Sequence, residues 1–163
     1  MASTVFVVII CCAVIGVSYS HVCLVSPAQR GSLQGINKKG ADNCILLKPP
    51  CGGRVRQANR TVDLRVGQEY EVVFQKNLDH WKKTSPGFFE ILLGQEGSNN
   101  YHAFVKIPDN GEPSLTLFTQ TIVVPAVQWT NQDTILRVIY KTMNPDAPPA
   151  FYQCADVRIL PQK

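Results

Sequence analysis

From residue 61 onward the chain alternates between apolar and polar positions in short runs. TVDLRV (61–66), EYEVVFQKN (69–77), GFFEILLG (87–94), HAFVKI (102–107), LTLFTQTIVV (115–124), TILRVIYKT (134–142) and FYQCADVRIL (151–160) are rich in β-branched and aromatic residues, the composition of half-buried strands. GQEGSNN, PDNGEPS and MNPDAPPA separate several of them with turn-forming residues. The first two runs, joined around Gly67, read as a hairpin. No stretch carries the 3.6-residue period of an amphipathic helix, so the pattern predicts an all-β fold, an antiparallel immunoglobulin-like β-sandwich. Residues 24–60 show little periodicity and much Gly, Pro and Asn, and read as a long loop pinned by cysteines.

The opening MASTVFVVIICCAVIGVSYS is an apolar run closed by the small residues Ser18 and Ser20. That is the form of a secretory signal cleaved before His21. The apolar stretch, about 15 residues, is shorter than the roughly 20 that span a bilayer, and no second such run follows. The expectation is residues 1–20 as signal peptide and residues 21–163 as one secreted, extracellular, monomeric domain without a membrane span. Cys11 and Cys12 leave with the signal. Cys23, Cys44, Cys51 and Cys154 remain, an even set that an oxidising compartment converts into two disulfides among three possible pairings. Asn59-Arg60-Thr61 is a sequon for N-glycosylation in the same compartment.

The net charge of +4 falls wholly on the mature chain, but its Lys and Arg residues are scattered. They form no basic stripe of the kind that binds nucleic acid, so no nucleic-acid partner is expected.

A histidine at the processed N-terminus has chemistry that no internal histidine has. Its free α-amino nitrogen and its ring Nδ1 close a chelate on one metal ion, and a second imidazole completes a T-shaped set of three nitrogens. Such a set suits copper, which also heads the divalent affinity order. His80 and His102 are the only other histidines.

H-V-C-L-V-S-P-A-Q-R-G from His21, the CGG at 51–53 and the closing FYQCADVRI together resemble the secreted copper-binding proteins that share the lytic polysaccharide monooxygenase fold. The resemblance is nearest to the fungal copper-acquisition factor family and runs the length of the mature chain, loosest between about residues 82 and 145. It implies a histidine-brace site for copper as cofactor and a role in copper sequestration or delivery, to a copper transporter or a cell-surface partner. The alternative is an oxidative enzyme of the monooxygenase type. The resemblance implies His21 and His80 as nitrogen ligands and Asp156 of YQCADV as a carboxylate near the metal. It leaves Phe151, Asp79, Asp109 and His102 as further candidates for an axial or third position. Trp81, next to His80, is either a surface ring near the metal or a packed one. The expected disulfide pairing joins Cys51 of the CGG loop to Cys154 of the last strand, and Cys23 to Cys44.

Overall fold

The computed structural model describes residues 21–98 and 100–162; the signal-peptide expectation for residues 1–20 lies outside the described residues. Eight strands follow in order: β1 (His21–Ser26), β2 (Val62–Arg65), β3 (Glu69–Leu78), β4 (Phe88–Gln95), β5 (Tyr101–Pro108), β6 (Thr116–Val123), β7 (Asp133–Lys141) and β8 (Ala150–Leu160). They form a three-stranded sheet, β1-β3-β6, packed on a five-stranded sheet, β2-β8-β7-β4-β5. Every adjacent pair is antiparallel except β2 with β8, which run parallel. Among the described residues, no helix is long and apolar enough to cross a membrane.

Alternation decides which side chains enter the space between the sheets. Leu24, Val72 and Phe74 from one sheet meet Phe89, Ile91, Leu136, Val138, Ala155 and Val157 from the other, all fully buried. An aromatic column runs through this core. Phe118 stacks on Phe74 at 5.1 Å between ring centroids, Phe74 lies 5.1 Å from Phe89, and Phe89 stacks on Tyr140 at 4.4 Å. Tyr140 in turn lies 6.5 Å from Phe151 at the end of the sandwich.

Two features differ from the sequence reading. The expected hairpin between the first two runs does not form. Gln68 N donates to Arg65 O, closing a turn at Gly67 (φ +81°), while Val66 N bonds Leu160 O and Gly67 N bonds Val124 O. The turn carries the chain from one sheet to the other, leaving four-residue β2 as an edge and ten-residue β3 at the centre of its sheet. Second, the loop begins later than residue 24, because HVCLVS pairs with β3 as an additional strand. Its alternation is masked by Cys23, which is buried among loop residues on the far side of β1 from the core.

The loop from 27 to 61 contains two short 3-10 helices, Asp42–Cys44 and Ala58–Arg60. Disulfides Cys23–Cys44 and Cys51–Cys154 tie it to β1 and β8, which is the expected pairing. Asn59 is exposed on the second of these helices.

Candidate metal centre

His21 is the first residue of β1 and stands opposite Leu78, the last residue of β3. His80 follows two residues past that strand end, so antiparallel pairing alone delivers both histidines to one end of the sandwich. Phe151, second residue of β8, reaches the same end from the facing sheet. Its ring lies 6.3 Å from that of His21 and is stacked with His80 at 6.5 Å and 8° between planes. The two imidazoles are buried, with 2% of His21 and 7% of His80 exposed. Phe151 therefore terminates the aromatic column as the floor on which both rings rest.

Burial lowers the pKa of His21 from its ordinary 6.5 to about 4. Asn77 works against that shift, the neighbouring His80 adds to it and Asp42 opposes it more weakly. The ring is therefore neutral near pH 7, the protonation state in which imidazole nitrogen binds a metal. Asn77 lies close to the ring, but its amide is committed to the loop backbone, and neither buried ring nitrogen of His21 makes a hydrogen bond of normal geometry. A buried polar atom in that condition is costly unless something external satisfies it.

The long loop covers His21. Asn77, fully buried on β3, accepts from Ala41 N at 2.8 Å and donates to the carbonyls of Ile36 (3.2 Å) and Lys38 (3.0 Å). This pins Gly40 against the ring: a Cβ at Gly40, where φ is +77°, would stand 3.4 Å from His21 Cε1. The sequence reading did not single out Asn77 or Gly40. A polar residue inside an otherwise buried strand run was the available signal.

His80 is held from below. Lys76 Nζ, wholly buried, bridges Asp79 Oδ1 and Asp109 Oδ1 at 2.6 Å each. Asp109 is also bonded by Tyr140 Oη and by Gly111 N. Asp79 in turn accepts from Trp81 N at 2.8 Å, and Asn144 Nδ2 donates to His80 O at 3.0 Å. Trp81 lies half-buried over Gly111, where an added Cβ would come within 3.1 Å of its ring, so it is the packed form of the two expected.

The other candidates lie as follows. Asp79 and Asp109 are spent on Lys76. His102 is exposed on β5, edge-on to Phe104, three strands across from β8 and at the opposite end of the sheet. Asp156 is not brought to the histidines, which corrects the placement expected for it. Five positions from Phe151 on a regular strand, it points to the opposite face and sits about 16 Å along. There Arg30 Nε and Nη2 donate to its Oδ1 at 3.0 and 2.6 Å, and Gln57 N donates to Oδ2 at 2.7 Å.

The described residues contain no group of three His, Cys, Asp or Glu side chains arranged for a metal. A brace asks for only two imidazoles and an amino group, and His21 and His80 bring the two imidazoles to one place.

The two-sheet arrangement defines an all-β sandwich with the fold of the lytic polysaccharide monooxygenases. Solved structures carry that conclusion. The catalytic domain of a lytic polysaccharide monooxygenase from Listeria monocytogenes superposes with a TM-score of 0.54 at 18% identity, over 86% of this chain and 99% of that one. An AA10 lytic polysaccharide monooxygenase from Streptomyces lividans gives 0.51 at 16% identity, over 85% and 99%. One from Jonesia denitrificans gives 0.50 at 13%, also over 85% and 99%. At these identities the likeness is one of fold. No protein-family model matches the chain, and no curated protein matches it in sequence.

Proposed function

We propose that cleavage before His21 frees an α-amino group which, with the rings of His21 and His80, holds one copper ion, and that the secreted protein sequesters or delivers that ion outside the cell. The observation that carries this reading is the meeting of two buried imidazoles, from the ends of β1 and β3, on one aromatic floor, with neither nitrogen of the His21 ring in a hydrogen bond of normal geometry. Two disulfides accord with an oxidising, extracellular setting. A copper transporter or cell-surface protein would be the recipient. Resemblance to the fungal copper-acquisition factors adds to the same reading.

The fold likeness keeps one competitor in play, oxidative cleavage of polysaccharide at the same ligands. Sequestration is favoured because every Trp, Tyr and Phe among the described residues is at least half-buried, whereas a flat polysaccharide face displays exposed rings. Release of oxidised sugars on adding reductant separates the two; the sequestering protein gives none. The ligand test is a pair of variants. His80→Ala should weaken copper binding by orders of magnitude and change the Cu(II) spectrum, while His102→Ala should leave both as they are. The reverse pattern would assign the wrong loop to the metal.

A further inference from the structure

Away from the histidines, on the outward face of the five-stranded sheet, one arginine is set up for a ligand that the protein does not itself supply. Arg137 lies between the core residues Leu136 and Val138 of β7 and so points outward. Its guanidinium rests 3.8 Å from the centroid of the Tyr101 ring. Tyr101 is itself seated in the space left by a glycine: a Cβ on Gly94 would fall 2.2 Å from Tyr101 Cδ1. The same ring packs against the Cys51–Cys154 disulfide cluster. Gly94, Tyr101 and Arg137 thus form a stack whose outermost member is a cation in a fixed orientation.

Among the described residues that cation has no counter-ion in contact. No carboxylate among the described residues lies within 4 Å of it, the nearby Glu90 being paired with Lys141 at 3.0 Å. Arg137 Nε is buried with no hydrogen-bond partner. Burial works against its charge and lowers its pKa, yet a guanidinium stays protonated at any physiological pH. The side chain is only partly buried and one face of the guanidinium is covered by Tyr101, so its charge, without a carboxylate in contact, is left for an external acceptor to meet.

The space in front of it is a cavity of about 390 Å³ lined by Pro49, Pro50, Gly97, Ser98, Tyr101 and Arg137. That is at the small end of the range for ligand pockets. Its wall, Pro49-Pro50, directly precedes Cys51 and is anchored to β8 through the disulfide. An adjoining cleft shares Pro49, Pro50 and Gly97 and is lined by Lys48, Arg54 and Arg56 as well as by Glu96, which is paired with Arg30, so its net charge is positive.

We propose that this cavity is a second ligand site, which takes an organic carboxylate the size of one sugar or one amino-acid residue. Its carboxylate would lie in the fork of Arg137, whose planar donors match the two oxygens. Its body would lie against Pro49-Pro50, and Ser98 would offer a hydroxyl. The site is separate from the histidine centre and its test does not depend on metal.

The experiment is a chemical-shift titration of the metal-free protein with two carboxylates, galacturonate and N-acetylleucine, and their neutral counterparts, galactose and N-acetylleucinamide. At least one carboxylate should produce saturable shifts at Tyr101 and Ser98, and which of the two binds identifies a sugar or a peptide source. Arg137→Gln should weaken that binding by roughly tenfold or more, the worth of a charge-assisted pair. Arg137→Lys keeps a positive charge and secures the result should Arg137→Gln fold poorly; lacking the fork, it should also lose most of the affinity. Absence of binding by both carboxylates, equal binding of the neutral compounds, or unchanged binding in Arg137→Lys would each overturn the proposal.

Discussion

Arg30 ties the segment that follows β1 to the last strand, β8. Its backbone N–H bonds Cys154 O at 2.7 Å, and its side chain engages Asp156, Glu96 at 2.7 Å and the carbonyl of Arg54 at 3.1 Å. The RG of the opening motif and the AD of the closing one thus meet as an ion pair with both partners nearly fully buried. Removing Asp156 leaves Arg30 with only the part-exposed Glu96 as its carboxylate partner and leaves Gln57 N without its acceptor, at a cost of about 1–3 kcal/mol. Asp156→Ala should therefore lower the unfolding free energy from denaturant titration by that amount while leaving the Cu(II) spectrum of the loaded protein unchanged; an altered spectrum would return Asp156 to the metal. His21 yields a prediction of a different kind. Its pKa is about 4 in the fold against 6.5 in the unfolded chain. Between those values the unfolded chain binds a proton that the folded protein excludes, so the metal-free protein should lose stability as pH falls from 6.5 towards 4. His21→Ala should flatten that dependence, as denaturant titrations across the window would show. An identical slope in the variant would mean that some other group carries it.

At the scale of elements, alternation identified seven of the eight strands, because residues facing the core are apolar at every second position. Partner choice was less legible. Val62–Arg65 and Glu69–Leu78 are separated by a glycine turn that serves a hairpin and a sheet-to-sheet crossing equally well. Only the long-range bonds of Val66 to Leu160 and Gly67 to Val124 decide between them. The disulfides compensate for the irregular loop. In the chain-entropy picture, the Cys51–Cys154 bridge closes 103 residues and contributes about 4–5 kcal/mol, and Cys23–Cys44 closes 21 and contributes about 3. Replacing Cys51 and Cys154 by Ser should thus lower thermal stability more than replacing Cys23 and Cys44. The opposite ranking would show that loop closure is not the main effect of these bridges.

For the molecule as a whole, the candidate site is a product of topology. Antiparallel pairing of β1 with β3 brings the start of one strand to the end of the other, and β8 supplies Phe151 from the facing sheet. His21 was legible because its position at the expected cleavage point gives it chemistry of its own, and His80 because it lies just past a strand end. Asp156 was read into the site through the motif, although its odd offset from Phe151 already put it on the other face of β8. Lys76, Asn77 and Gly40 were not legible, since burial of a polar side chain or close approach of a backbone depends on what the long loop covers. The central claim, a copper site built on the processed amino terminus, is tested most directly by equilibrium copper titration of two proteins, one starting at His21 and one carrying a single extra residue before it. The account predicts one tightly bound copper per chain in the first and a loss of affinity by orders of magnitude in the second; equal affinity in both would contradict it.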